Sequence, residues 1–410
     1  MHNNLHNTMH NKRRLLGLRY MSLILTVLLV SSPGRARAQG AAVQSAPTRV
    51  AVPQVTRADL AAAYLRLDGV MATKALDDST RASVSRAFDR STLAFFAGKF
   101  ASAVATIDSL TAAVSGVPIA PPTAPRVRMV RGKLPSVARA AFLARLAKLD
   151  STGTFAQAIV SARARASLLV DVPSVDRSAE FLADPVTLAA ALDREVRALE
   201  SGKNPYAKYA GDMWRSFRGA NGVIVPYRIV ATKAVAQATT PVPVVFALHG
   251  AGADENAFVD AYGAGASPRL AGERGMLFVS PATIAFAASA ENVDVLLAQL
   301  RNEYNIDTAR VYVMGHSMGA GAAARLVAQR PNIFAAAACL AGGATVTTAG
   351  APPMLFLGGE LDLLIAAKNV QALAAATPTA TYRLIPHEGH TMMVAAAVRA
   401  AIPWMLEHRR

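Results

Sequence analysis

One stretch constrains this chain more than any other. Val311-Tyr312-Val313-Met314 is a continuous apolar run; it leads into Gly315-His316-Ser317-Met318-Gly319, and an alanine-rich segment follows through residue 330. Glycine-x-serine-x-glycine between a buried strand and a helix predicts a sharp, strained turn that lifts the serine above the strand ends. Glycine is needed at 315 and 319 because a side chain at either position would collide with neighbouring elements. The helix predicted at 318–330 then points its N-terminus, and that end's free N–H groups, at any negative charge forming beside Ser317.

The surrounding sequence supplies a sheet for that strand. Trp214 to Arg218 and Val223 to Val230 read as a hairpin closed by Gly219-Ala220-Asn221-Gly222, since Asn-Gly between apolar runs is a strong turn signal. Further strands are predicted at 242–248, 276–280, 310–314, 334–340, 353–358 and 381–385. Helices are predicted at 255–263, 267–274, 291–304, 318–330, 363–376 and 391–408. Short apolar strands alternating with helices predict an α/β fold with a doubly wound, mostly parallel sheet covered on both faces.

Val244 to Leu248 run into His249-Gly250-Ala251-Gly252, a second signature. Glycines at a strand end let backbone N–H groups turn toward a substrate, and the N–H groups of Ala251 and Met318 are the candidate oxyanion hole. His249 is expected to brace this loop by hydrogen bonding, with Gly250 supporting it.

A serine nucleophile needs a base. After residue 38 the histidines are His249, His316, His387, His390 and His408. His316 adjoins the serine and should point away from its hydroxyl, and His408 is close to the last residue. His387 and His390 lie in Pro386-His387-Glu388-Gly389-His390, between a predicted strand and the last helix, where the order Ser…Asp…His puts the base. Gly389 favours His390, because a glycine there lets the loop approach the serine. The carboxylate that orients it should follow the strand Met354 to Leu357, and Asp362 is the candidate, with Glu360 the alternative.

These motifs resemble the α/β-hydrolase superfamily, nearest to its polyhydroxybutyrate-depolymerase-like, feruloyl-esterase-like and "predicted peptidase" members. The resemblance runs over residues 212–408 and is carried by Leu248 to Asn256, Glu303-Tyr304-Asn305-Ile306-Asp307, Gly315 to Gly319 and Gly389-His390-Thr391. It implies acyl transfer from an ester, less often an amide, through an acyl-enzyme. The loop from Pro281 to Ala290 is short where relatives often carry an aromatic-rich insertion.

The rest of the chain reads differently. Lys12, Arg13, Arg14 and Arg19 precede an apolar run from Leu23 to Val30, and Ala36-Arg37-Ala38 supplies small residues for cleavage before Gln39. Residues 1–38 are therefore expected to be a signal peptide, too short in its apolar part to span a bilayer, and the protein to be secreted or periplasmic. Residues 39–56 read as a linker. Residues 57–205 read as a mainly α-helical accessory module, with Gly98-Lys99 as the turn of a helical hairpin and a short strand at 126–130. Residues 206–410 are expected to form the catalytic domain.

Composition narrows the partners. The net charge is +16, and residues 1–38 carry six basic residues and no acidic ones. The remaining excess is spread thinly, mostly over residues 39–205, without a dense Lys/Arg block interleaved with aromatics, which argues against nucleic acid. It fits a solvated basic surface or a face that meets anionic envelope polymers or lipid. The single cysteine, Cys339, sits in an apolar run and reads as a small buried hydrophobe. No histidine or cysteine spacing suits a metal, and no cofactor is expected. The preferred reading is an exported serine esterase acting on a small-molecule or polymer ester. A serine peptidase of the same fold, or a binding or scaffold protein working through its helical module, are the alternatives.

Overall fold

Among the described residues, eight strands form one sheet. They are β1 (Gly211–Arg218), β2 (Ile224–Ala231), β3 (Val242–Leu248), β4 (Leu277–Pro281), β5 (Ile306–His316), β6 (Ala336–Leu340), β7 (Met354–Gly359) and β8 (Ala380–Ile385). Their order is β1-β2-β4-β3-β5-β6-β7-β8. β1 pairs antiparallel with β2, and β2 antiparallel with β4. All other neighbours are parallel. The structure is a computed structural model, and it describes residues 55, 57–119, 133–170 and 184–410. The expected signal peptide, the linker up to residue 54 and the strand at 126–130 lie outside the described residues.

The order encodes where a ligand belongs. From β3 the chain moves outward to β4, then crosses back past β3 to β5 and continues the other way to β8. The reversal lies between β3 and β5, and in open parallel sheets the crevice beyond the carboxyl ends of such strands is where ligands bind. Leu248 pairs with Gly315 at those ends, so the two glycine-bearing motifs emerge side by side.

Period-two alternation splits the strand residues between two cores. Val244, Phe246, Val313 and Phe356 face α11 (Asn292–Glu303) and α12 (Met318–Gln329). Val245, Ala247, Met314 and Leu357 face α9 (Tyr262–Glu273) and α14 (Val394–Leu406). Both faces are covered, which is why the strands read as continuous apolar runs.

The helical stretch shares these cores. α4 (Pro135–Leu146), α5 (Ala156–Ala166) and α6 (Pro185–Glu200) place Phe142, Ile159, Leu192 and Val196 in the first core, against Phe217 and Tyr227 of the hairpin. α1 (Arg57–Thr73), α2 (Asp78–Phe96) and α3 (Phe100–Ser115) form a third core from Leu67, Val84, Phe88 and Ile107, and Met392 reaches into it from the other end of the chain. Gly98-Lys99 turns the chain between α2 and α3, as the sequence predicts. Gln54–Arg410 is one compact unit, so the change from helix to sheet near residue 206 is not a break in packing.

Buried charge fastens the junction. Arg215 on β1 makes a two-pronged ion pair with Glu303 of α11, at 2.5 and 2.7 Å, with both side chains 1% exposed. Arg165 of α5 donates to Glu195 of α6 and to the carbonyl of Trp214. Breaking such a pair on one side costs about 3–5 kcal/mol, because a buried charge is left alone.

Several predicted boundaries shift for local reasons. The helices expected at 255–263 and 267–274 appear as a single turn, α8 (Ala257–Asp260), then α9, whose first residues Gly263, Ala264 and Gly265 are left-handed. The helix expected from 363 starts at 367 as α13 (Ala367–Ala375), because Asp362 Oδ1 accepts the N–H groups of Leu364 and Ile365 and holds that segment as a turn. Two short helices, α7 (Lys233–Ala236) and α10 (Thr283–Phe286), were not expected.

Candidate active site

Ser317 sits at the turn between β5 and α12 with φ 55° and ψ −115°. A non-glycine residue in such a region stores about 1–3 kcal/mol of strain and persists only where the surroundings fix it. Here the Ser317 N–H donates to the Leu340 carbonyl at 2.8 Å. A Cβ at 315 would overlap the Gly319 carbonyl, and one at 319 would overlap the Leu248 carbonyl. The crossing of β3, β5 and α12 is thus too close for any residue but glycine at those positions. Ser317 and Met318 are half-buried.

His390 and Asp362 come together 28 residues apart. His390 Nδ1 lies 2.8 Å from Asp362 Oδ2, and their side chains are 3% and 0% exposed. Asp362 Oδ1 is occupied by two backbone N–H groups of its own turn, which fixes the carboxylate. His390 Nε2 bonds to no described residue, and neither does Ser317 Oγ, so the imidazole edge and the hydroxyl are both unspent. In sites without substrate such bonds are often long and tighten on binding.

The sequence alternatives separate cleanly. Glu360 Oε2 accepts the His387 N–H at 2.8 Å, and both side chains are about two-fifths exposed. His387 has a left-handed φ of 60° and also lies 3.5 Å from Asp78. Glu360 and His387 form a surface pair, while Asp362 and His390 form a buried one.

Two further histidines have both ring nitrogens in hydrogen-bond contact with other groups. His249 donates from Nδ1 to the Gly250 carbonyl at 2.9 Å and accepts the Thr283 N–H on Nε2 at 3.0 Å. The Thr283 hydroxyl donates back to the His249 carbonyl. Burial lowers the His249 pKa, consistent with a neutral ring that accepts on one nitrogen. His316 donates from Nε2 to the His390 carbonyl, and its Nδ1 meets the Tyr262 hydroxyl, each at 3.0 Å. Burial again lowers its pKa, to well below the usual 6.5. Tyr262 also accepts the Gly250 N–H at 3.3 Å. Tyr262 and Thr283 carry no local signal, and only the fold brings them beneath these loops.

Neither the Ala251 nor the Met318 N–H bonds to a described residue, and the pairing of Leu248 with Gly315 brings their loops together. Gly252 is overlaid by the Phe95 ring of α2; a Cβ there would lie 2.6 Å from it. Gly389 has a reason different from the expected approach to Ser317. A Cβ at 389 would lie 2.8 Å from the Asp89 carboxylate, which reaches in from α2. Cys339 is buried, with its thiol pushed up to about 12. Among the described residues no cluster of three or more metal-ligating side chains occurs, and no helix is long and apolar enough to cross a membrane.

Chemically, the arrangement holds a hydroxyl on a strained turn, an imidazole oriented by a buried carboxylate, and two free N–H groups, one at a helix start (Met318) and one in the loop after β3 (Ala251). Such a set can attack a carbonyl and hold the resulting oxyanion.

Residues 242–352 match the family model described as "Serine aminopeptidase, S33". No curated protein sequence matches the chain. Among solved structures, a thermostable esterase is 24% identical over 48% of this chain and 63% of its own length, with a TM-score of 0.40. An S-formylglutathione hydrolase from Agrobacterium tumefaciens is 17% identical over 48% of this chain and 96% of its own, with a TM-score of 0.40. A ferulic acid esterase is 14% identical over 48% and 97%, with a TM-score of 0.39. The chain carries the α/β-hydrolase fold, and the family match begins at residue 242, beyond the preceding helices.

Proposed function

We propose that the protein is a serine hydrolase that cleaves carboxylic esters through an acyl-enzyme. Ser317 Oγ attacks the ester carbonyl as His390 Nε2 takes its proton. Asp362 fixes the ring so that Nε2 faces the serine, and stabilises the imidazolium that forms. The N–H groups of Ala251 and Met318 receive the oxyanion. His390 then protonates the departing alcohol, and water repeats the sequence to release the acid.

The observation that carries this reading is the buried hydrogen bond between His390 and Asp362, with His390 held by its carbonyl to His316, the residue before the strained Ser317. A surface ion pair has no need of such burial, and burying it without use leaves an expensive polar group in the core. Short acyl groups are the proposed substrates. Two features support this: the segment after β4 is the short α10, with Phe286 committed to the core and so not part of an acyl-binding wall, and Phe95 closes over Gly252 in the loop that carries Ala251.

A panel of p-nitrophenyl esters of rising chain length, run beside p-nitroanilides, tests this. The expected result is the highest kcat/KM on acetate or butyrate. A preference for chains of about eight carbons or more, each methylene worth about 0.8 kcal/mol on burial, contradicts it. Faster cleavage of the anilides would favour the second reading, a peptidase, for which the match to a serine aminopeptidase family model speaks. Export through the leader at residues 1–38 belongs to the same proposal, and N-terminal sequencing of the mature protein tests it, with Gln39 the expected first residue.

A further inference from the structure

We propose that Asp89, on helix α2, is a positioning residue for the reaction, and that α2 is therefore a working part of the active site. The inference rests on the serine hydrolase reading and concerns what holds its base and acid together.

The geometry is specific. Arg81, Ser85 and Asp89 stand four residues apart, so they form one stripe along a single face of α2. Arg81 donates to Glu388 Oε1 at 3.0 Å, and the Ser85 hydroxyl donates to Glu388 Oε2 at 3.0 Å. Asp89 accepts the His390 N–H on both oxygens, at 3.0 and 2.9 Å, and the Leu363 N–H at 3.0 Å. Leu363 follows Asp362, and His390 follows Gly389. One carboxylate more than 270 residues away in sequence thus joins the acid loop to the base loop at the backbone of each.

Asp89 is fully buried. Burial pushes its carboxyl up, and the N–H groups of Leu363 and His390 pull it down. A buried acidic side chain with no role would be replaced readily by an apolar one, since it needs these N–H groups to be tolerated at all. Gly389 completes the fit, because any side chain there would strike the Asp89 carboxylate. The two loops also meet directly, through the Leu361 N–H on the Glu388 carbonyl at 2.9 Å and the His387 N–H on Glu360 Oε2 at 2.8 Å, but Asp89 is the group that bonds the backbone of His390 itself and of the residue next to Asp362. Without Asp89, the His390 and Leu363 N–H groups lose their acceptor, and the backbone that aims the imidazole at the carboxylate and the serine can shift even while the other bonds between the loops hold. Misplacement of about 1 Å in such a site is worth as much as a hundredfold in rate.

The test uses the full chain and p-nitrophenyl acetate, with active sites counted by exhaustive labelling with a fluorophosphonate. In Asp89→Ala the expected result is kcat per labelled site reduced at least about thirtyfold with KM changed less than about twofold. Asp89→Asn keeps one acceptor oxygen and should recover part of the loss. A purely structural role predicts the opposite: fewer labelled sites, each turning over at the normal rate. That result, or normal kcat per site in both variants, overturns the proposal. If neither Asp89 variant folds, Arg81→Met decides. Its side chain is one-third exposed, so the variant should fold, with a melting temperature lowered because the buried Glu388 carboxylate loses its cation, and kcat per labelled site should fall at least about threefold; an unchanged kcat per site overturns the proposal. Failure of the unaltered protein to be labelled sinks the serine hydrolase reading instead, so the two failures are distinct.

Discussion

His316 donates from Nε2 to the carbonyl oxygen of His390 at 3.0 Å, so the residue before Ser317 holds the loop that carries the imidazole. Both rings are buried, with centroids 4.8 Å apart. Burial pushes the His316 pKa well below its usual value, which keeps the ring uncharged near neutral pH, with Nε2 as its donor. His316→Ala should lower kcat by about tenfold through loss of aim, whereas His316→Gln, which can still donate, should lose less. Steady-state kinetics on p-nitrophenyl acetate checks this, and full activity in the alanine variant contradicts it.

The two histidines of the 386–390 loop should behave as opposites. His390→Ala should remove at least about three orders of magnitude of kcat/KM, since the base is gone. His387→Ala should stay within about twofold, because its contacts to Glu360 and Asp78 are exposed and such pairs are worth about 0–1 kcal/mol. A dead His387 variant beside an active His390 variant contradicts the assignment of the base.

Asp68 makes stability depend on pH. Its carboxyl, buried beneath the left-handed start of α9, accepts the Ala264 N–H at 2.7 Å. Burial, opposed by the Ala264 and Gly263 N–H groups, pushes its pKa up from 3.8 to about 7. Between those values the folded protein holds a proton that the unfolded chain has released. This group's contribution to stability therefore falls as pH rises through that window, and stays low above it. Asp68→Asn keeps an acceptor and removes the charge. It should stabilise the protein by about 2 kcal/mol at pH 8 and by less at pH 5, after the loss of charge-assisted bonds is counted. Melting curves at the two pH values decide, and a variant weaker at pH 8 than at pH 5, each relative to the unaltered protein, contradicts the argument.

The sheet was legible in the sequence because each parallel strand is buried on both faces. Val242–Leu248 is apolar throughout and matches β3 to the residue. The serine turn was legible because sterics allow only glycine at 315 and 319. What escaped was everything that depends on distant contact. Asp89 sits in a helix with Arg86 and Arg90 on either side, and reads there as a solvated charge. Thr283 belongs to a single helical turn too short for any periodicity. The helical stretch reads as a separate module because its composition differs and it lacks histidine. Yet Phe142 and Val196 share a core with the sheet, and Met392 completes the core of α1 to α3. Local pattern marks which face of an element is apolar, but not which neighbour will cover it.

The central claim is that Ser317 is the nucleophile, activated by His390 and Asp362. Incubating the folded protein with a fluorophosphonate and mapping the adduct by peptide mass spectrometry tests it most directly. The account predicts one adduct, on Ser317, lost in Ser317→Ala and formed far more slowly in His390→Ala. A folded protein that takes no label, or takes it at another residue while Ser317→Ala still hydrolyses ester, contradicts it.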